Sequence, residues 1–533
     1  MPKGVYQKIG AATLIMMASI FLSRVMGYVR ELVIAAVAGA DASVDAYRVA
    51  FVLPEILNHI LASGFLSVTF IPIFSNYLVD DDEVGAWQVF SIILTTFGML
   101  MVALITIGMI FTPQIVPLLA MGRGDPEFLK MTVHMTRIVL PAQFCFFAGG
   151  ILMAVQFAKE RFLVPALAPL IYNLGIICGG LLLGPHMGVQ GFAWGALGGA
   201  VIGNFAVQIF GAHSVGLRFH LRFDMRHKDL RRYILLTLPL MLGLTMIFSM
   251  EIFSKFFGSY LPEGGIAWLD YAKIIMMMLV AFFGQALGVA SYPFLARLAA
   301  EKRWNEMNRM FNTLLRHLAT LVIPASVLMM VLRHEIVRVL FERKAFHAED
   351  TRMTALALGG LLVGAVAISA QTVVNRGFYA MQNTLLPAIY GTIAVIVSLP
   401  IYWIGLKTYG LLGVALAISI SAMIQVAVLF MAWNRRSDNK ESSRVYGTFA
   451  RAVLAGIPLY GVLWFSRQAL RQWIDPVSFI GSAAIIAVTT ALFVGCMALG
   501  GWLFKVEGIY DVGMRLLGRL RPSENAPPRS PKR

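Results

Sequence analysis

Apolar residues run along this chain in long, nearly unbroken stretches separated by short polar segments. About fourteen such stretches lie near 10–38, 46–76, 87–112, 131–157, 162–184, 189–212, 233–258, 267–296, 311–332, 354–380, 385–406, 410–433, 448–467 and 478–504. A bilayer crossing needs about 20 apolar residues in a helix, so the pattern predicts an all-α polytopic membrane protein. Barrel strands would instead alternate at period two over about ten residues. Several runs exceed the bilayer thickness and predict tilt or kinks. Gly27, Pro54, Pro72, Pro239 and Pro293 interrupt them. Such breaks are tolerated where neighbouring helices or a wet cavity satisfy the freed backbone groups.

The pattern also repeats. "PALAP" at 165 matches "PAIYG" at 387, and "GVQGFAWGAL" at 188 matches "GLLGVALAIS" at 410. "FIPIFSNY" around Pro72 pairs with "SYPFLARL" around Pro293, and "QFAKERF" near 156 with "FYAMQNT" near 378. One register joins all four matches. The repeat unit holds an even number of spans, so both copies point the same way. The expected architecture is two pseudo-symmetric six-helix lobes, 1–212 and 233–434, joined by a cytoplasmic linker, 213–232. A two-helix hairpin (435–504) and a cytoplasmic, partly disordered tail (505–533) follow. Lobe interfaces are where transporters of this construction bind substrate.

Composition agrees with the pattern: 58% of residues are hydrophobic and 14% charged, against about 25% charged in soluble proteins. The net charge of +16 does not indicate nucleic-acid binding, because the basic residues gather in loops between apolar runs. They obey the positive-inside rule if both termini are cytoplasmic. "RFHLRFDMRHKDLRR" (218–232), "RLAAEKRWNEMNR" (297–309) and "RRSDNKESSR" (435–444) carry most of the signal. The loop "RHEIVRVLFERKAFHAEDTR" (333–352) is the external exception. Cys145, Cys178 and Cys496 lie far apart in apolar runs and imply neither a disulfide framework nor a metal cluster. No metal-protease, P-loop or nucleophile-elbow pattern appears, so the expected protein is not an enzyme. A membrane glycosyl- or acyltransferase and a cell-wall scaffold are the readings from other classes.

Charges inside the spans carry the most information. Each costs about 2.5–3.5 kcal/mol at mid-membrane on insertion scales and usually faces a partner or a water-filled cavity. The first two spans hold Arg24, Arg30, Glu31, Asp45, Arg48, Glu55 and His59; later spans hold Arg137, Glu251, Lys255, Lys273 and Arg376. Glu31 lies close to the face of Arg24 but two turns away, too far for a comfortable pair. Arg24 therefore needs another helix, water or a ligand, and its guanidinium suits phosphate oxygens. The alternative is that Arg24 and Arg30 bond neighbouring helices and only hold the bundle together. Glu31, Asp45 and Arg48 read as a solvated helix end or a gate. Glu55 with His59, and Glu251 with Lys255, have the i,i+4 spacing of intrahelical pairs, and either pair can line a cavity. Lys273 has no local partner.

The segments "LSRVMGYVRELVIAAVAGADASVDAYRVAFVLPEIL" (22–57) and "SGFLSVTFIPIFSNY" (63–77) resemble the opening of the MurJ (MviN) lipid II flippases of the MOP exporter superfamily. "KERFLVPALAPLIYNLGII" (159–177), "ALGVASYPFLARLA" (286–299) and "GFYAMQNTLLPAI" (377–389) follow in the same order. The resemblance implies a protein of the bacterial inner membrane. It would carry undecaprenyl-diphosphate-linked peptidoglycan precursor to the outer leaflet by alternating access. Arg24 and Arg30 match the arginines the family turns on the diphosphate; Glu31, Asp45 and Asn173 match further polar positions. Asn58 and His59 stand where the family has a basic pair, Ser63 where it has glutamate, and Val52 where it has lysine. Lys273-Ile274 stands for an Asp-Arg pair. Lys255, Lys273 and Arg48 are the residues that would restore positive charge.

The expected substrate-binding set is Arg24, Arg30, Asn58, His59, Lys255 and Lys273. The expected gate or ion-coupling set is Glu31, Asp45, Arg48 and Glu251. No cofactor is expected, and the drive is the membrane potential or a monovalent cation. Lipid II or a related polyprenyl-diphosphate glycolipid, membrane lipids and cell-wall synthesis enzymes are the expected partners. The departures from the family pattern keep a second reading open, a flippase for another lipid-linked saccharide such as an exopolysaccharide or O-antigen unit. The final hairpin resembles the family's groove for the lipid tail.

Overall fold

A computed structural model describes residues 3–59, 65–243, 245–383 and 385–504. The tail expected at 505–533 and the departure at Ser63 lie outside the described residues. Among the described residues every regular element is helical. The first half contains α1 (Lys3–Ala38), α2 (Ala42–Ala50), α3 (Val52–Leu57), α4 (Phe65–Val79), α5 (Glu83–Leu119), α6 (Pro126–Val139), α7 (Ala142–Ala158), α8 (Leu163–Met187), α9 (Gln190–Gly199) and α10 (Val207–His213). The second half contains α11 (Lys228–Gly243), α12 (Thr245–Gly258), α13 (Gly265–Val280), α14 (Ala286–Ala300), α15 (Trp304–Val331), α16 (Arg333–Phe341), α17 (Ala348–Leu362), α18 (Ala365–Ala380) and α19 (Leu385–Ser437). Two peripheral helices, α20 (Ser442–Trp473) and α21 (Phe479–Phe504), complete the chain. Short π-helical segments, Ala200–Ala206 and Ala281–Gln285, interrupt the paths from α9 to α10 and from α13 to α14.

Among the described residues nine helical stretches are long and apolar enough to cross a membrane, and ten if α17 and α18, bent by 48°, make one crossing. The remaining apolar segments of the expected set are α1, the α2–α4 series and α11–α12, while α19 contains two helices joined at Gly410. The run expected as one span over 46–76 is therefore broken. Asp41 caps α2 through its carboxylate, which accepts from Ser43 N and Val44 N, and α3 is a separate six-residue helix starting beside Pro54. One helix was not expected: α16 sits in the loop 333–352.

Backbone geometry repeats along the chain as the sequence does. α4 and α14 are both 15 residues long with a proline inside, Pro72 and Pro293. α8 and α19 start at Leu163 and Leu385, 222 residues apart. Left-handed residues recur in the same register: Asp81 with Lys302, Glu160 with Gln382, Gly188 with Gly410, and Gly216 with Asp438. Gly188 (φ 60°, ψ −140°) and Gly410 (φ 54°, ψ −124°) share a conformation that only glycine adopts readily.

Each half packs mainly on itself. In the first half α8 lies along α1 and α9, α2 on α6, and α4 on α7; in the second, α13 and α19 lie on α17, and α15 on α18. α2 meets α13 across the junction, α12 meets α3 and α5, and α11 meets α4. One continuous apolar core links Ile34, Val44 and Ala50 of the first half to Trp268, Ile275 and Leu361 of the second. α20 packs on α15 and α21 on α16, and both leave large apolar residues such as Ile457, Phe465 and Ile480 exposed.

Neither Gly188 nor Gly410 has a neighbour within reach of an added Cβ. Gly188→Ala and Gly410→Ala should each cost about 1–3 kcal/mol from backbone strain alone. Gly461→Ala, on open helical surface, should be neutral or stabilising by up to about 1 kcal/mol. Thermal unfolding in detergent measures all three.

Candidate substrate cavity and the junction that seals it

Where the two halves face each other, α1, α2, α3, α7, α8, α12 and α13 enclose a cavity of about 460 Å³. Its charged lining is Arg30, Arg48, Lys255 and Lys273 against Glu31, Glu55, Glu251 and Asp270. Four cations meet four carboxylates, so the ionised cavity is formally neutral. A larger groove of about 660 Å³ opens between α5, α7 and segment 217–221, but no charged side chain lines it.

Most of these charges form one chain of contacts across the junction. Arg30 donates to Glu31 Oε1 (2.6 Å) and to Asn173 Oδ1 (3.1 Å). The other Glu31 oxygen accepts from Arg48 (2.5 Å). Arg48 Nε lies 3.7 Å from Asp270 of α13, and its guanidinium stands 5.2 Å from the Tyr271 ring centroid. Asp270 also accepts from Lys255 of α12, and Lys273 donates to Glu251. The expected Glu251–Lys255 pair does not form. Each residue instead bonds a partner on α13, which a reading confined to one helix could not find. Lys273 thus has a partner. Sequence reasoning passed over Asp270, although it stands at the repeat position of Arg48, 222 residues on, and at i,i+3 spacing before Lys273.

Glu55, Asn58 and His59 all line the cavity. His59 Nδ1 lies 2.9 Å from the Glu55 carbonyl oxygen, so the imidazole meets the backbone of that residue rather than its carboxylate. Among the described residues the Glu55 carboxylate has no ion-pair or hydrogen-bond partner. Arg24 is not in the cavity wall: it is exposed and donates to Gln285 Oε1 (2.8 Å) in the second half. It found the interhelical partner that its spacing from Glu31 demanded.

Asp45 also lies outside the cavity, and it is not on a solvated helix end. It is 1% exposed, and its carboxylate accepts from Arg123 (2.9 Å), Gly264 N (2.9 Å) and Ala267 N (2.8 Å). Gly264 has φ 83°, and a Cβ there would fall 2.2 Å from Ala40 O, so the chain needs glycine to bring those amides to Asp45. Around this clasp Tyr271 Oη donates to Gly39 O (3.0 Å), Ala345 N to Ala36 O (3.2 Å) and Gly122 N to Ser259 Oγ (3.0 Å). One end of the junction is therefore sealed.

The arginine-rich loop 333–352 resolves into a second buried cluster at the same end. Glu335 of α16 is fully buried and binds Arg467 and Arg471 of α20 at 2.9 Å each. Burial, with Arg333 and Arg467 nearby, holds the His334 imidazole down at about 4. It therefore adds no charge to this cluster at neutral pH.

A two-half helical bundle with a charged cavity at its junction defines a membrane transporter, and comparison supports that class. The fold matches a solved "Lipid II flippase MurJ, inward closed conformation" at TM-score 0.72 and 21% identity, over 91% of this chain and 98% of that one. It matches an inward-facing multidrug resistance MATE family transporter of the MOP superfamily at TM-score 0.64 and 16% identity, over 79% and 98%. The family described as "Lipid II flippase MurJ" matches residues 34–483, and the chain belongs to that family. The lipid II flippase MurJ of Burkholderia cenocepacia is 25% identical over 498 residues, 91% of this chain and 96% of its own length. A probable lipid II flippase MurJ of Treponema pallidum is 26% identical over 427 residues, covering 78% and 80%.

Two outcomes test the geometry. Glu31→Gln leaves two arginines without their shared carboxylate. It should destabilise the protein by about 3–5 kcal/mol, the cost of breaking a buried ion pair, read as a lowered unfolding midpoint. Asp45→Ala should unseal the junction. Ala40→Cys, 8% exposed in the native residue, should then change from protected to reactive towards a membrane-impermeant maleimide, in a background without the three native cysteines.

Proposed function

We propose that the protein is a lipid II flippase, moving undecaprenyl-diphosphate-linked peptidoglycan precursor between leaflets by alternating access. The observation that carries this reading is the cavity between the halves, in which Arg30, Lys255 and Lys273 offer donors to a diphosphate. Arg24, exposed on the same helix as Arg30, is a first contact at the cavity mouth. Because the cavity is neutral when empty, a diphosphate gains these donors only by displacing carboxylates from them. Lys255 leaving Asp270 and Lys273 leaving Glu251 break two pairs between α12 and α13, and Arg48 is then the cation left on Asp270 across the junction. Substrate binding thereby re-partners the ion pair that joins the halves, and a ligand shifts a two-state equilibrium only through such a difference between the states.

The positive-inside rule puts the basic segments 218–232, 297–309 and 435–444 in the cytoplasm, together with both termini. The Asp45 seal then faces outward in the bacterial inner membrane. Residues 1–212 and 233–434 act as the two lobes, linked by 213–232. The exposed apolar faces of α20 and α21 favour a path for the polyprenyl tail beside the cavity. The membrane potential or a monovalent cation drives the cycle without a cofactor, and cell-wall synthesis enzymes take the product. A second reading, transport of another polyprenyl-diphosphate-linked saccharide, is favoured by the neutral cavity and by Asn58 and His59 at positions expected to be basic.

Arg30→Ala and Lys273→Ala should insert normally yet fail to support growth of a flippase-depleted cell. Each should weaken lipid II binding about tenfold or more, the loss of one charge-assisted hydrogen bond. Wild-type protein that cannot rescue such cells, and that retains a different lipid-linked saccharide in native mass spectrometry, would select the second reading.

A further inference from the structure

Three of the four cavity carboxylates are engaged: Glu31 by Arg30 and Arg48, Glu251 by Lys273, and Asp270 by Lys255. Glu55 alone among them lines the cavity without a partner among the described residues. Gln143 supplies an independent sign of a missing ligand. It lines the same cavity at 3% exposure, and its side-chain oxygen has no hydrogen-bond partner. Buried polar atoms are nearly always satisfied, so an orphan within the wall of a cavity marks a place for a donor. Asn58 and His59 add an amide and an imidazole from the turn after α3. Phe146 and Tyr172 pack edge to face at 5.1 Å and present aromatic surface to the same space.

We infer that Glu55, Asn58, His59 and Gln143, with Phe146 and Tyr172, form a saccharide subsite on the first-half wall of the cavity. The inference rests on the lipid-diphosphate reading above. A hydroxyl both donates and accepts, and this wall offers both functions: a carboxylate and an amide oxygen to accept, and an amide N–H₂ to donate. Aromatic surface beside a few convergent polar groups is the usual make-up of a site for an uncharged ligand. The wall suits a diphosphate poorly, since Glu55 would repel it. Lys255 and Lys273 stand on the second half, on α12 and α13. The diphosphate goes to them, with Arg30 of α1 as the third donor, and the sugar it carries meets Glu55. A metal ion fits Glu55 less well, because a metal takes several oxygen ligands and the second half brings two lysine ammoniums into this space.

The test compares two probes by native mass spectrometry or fluorescence competition in detergent: undecaprenyl diphosphate, and the same lipid carrying a disaccharide without peptide. Wild type should bind the glycosylated lipid more tightly. Glu55→Ala should lower affinity for the glycosylated lipid about tenfold, relative to the bare lipid, as expected for losing a charge-assisted hydrogen bond. Glu55→Gln, which keeps the shape and one acceptor, should fall between. Lys273→Ala should weaken both probes alike. Equal shifts for both probes in the Glu55 variants, or none, would overturn the subsite and leave the diphosphate reading standing. Failure of the wild type to bind either probe would instead remove the diphosphate reading, and the subsite with it.

Discussion

A single buried carboxylate holds the two halves together at one end. Asp45 is satisfied only by groups from elsewhere in the chain: a guanidinium on the loop before α6 and two backbone amides at the start of α13. A buried carboxylate is stable only when its lone pairs are filled. The geometry of the seal is therefore all or none. Gly264 must be left-handed, Ala40 must lie against it, and α2 must dock on α13 for the charge to be tolerated. Separating the halves exposes Asp45 and its donors to water, which satisfies them again. The same interaction thus closes the junction tightly and lets it open without leaving a bare charge in hydrocarbon.

Below this seal the ionic chain works differently. Arg30, Glu31, Arg48, Asp270 and Lys255 are each held by neighbours that are themselves charged. Their balance is internal, so an incoming anion must rearrange pairs to bind. A cavity with surplus positive charge would capture anions strongly and release them slowly. A balanced one trades affinity for exchange, and it places the cost of that exchange on the ion pairs between α12 and α13.

The helical membrane architecture was legible in the sequence because it rests on local quantities: run length, apolar content and the breaks made by glycine and proline. The repeat was legible too, since the register of "PALAP" and "PAIYG" is the register of α8 and α19. What the sequence could not show was pairing across space. Lys255 and Glu251 fit an intrahelical pair by spacing, yet both turn to α13, and Asp270 went unnoticed although the repeat sets it opposite Arg48. Arg24 was the most conspicuous charge, but it lies outside the cavity wall. Asp45 looked like the end of a helix in water because its donors come from residues more than 70 positions away. The arginines of loop 333–352 looked like a breach of the charge rule. Within the loop Arg338 pairs with Glu342 and Arg352 with Glu349, while Glu335 is engaged by Arg467 and Arg471 of α20, a contact the linear order hides.

The Asp45 clasp has one further property. Asp45 and Ala267, whose amide it binds, are 222 residues apart, the separation that relates the two halves. Each therefore occupies the other's place in the repeat, at the pseudo-twofold axis. Two identical halves would bring a pair of like residues together there. Two aspartates would repel, and two alanines would offer no acceptor for the amides. Only a chain whose halves can differ can put a carboxylate on one side of the axis and a bare amide on the other. Divergence of the two halves is thus what makes this closure possible, and a symmetric dimer of either half could not reproduce it.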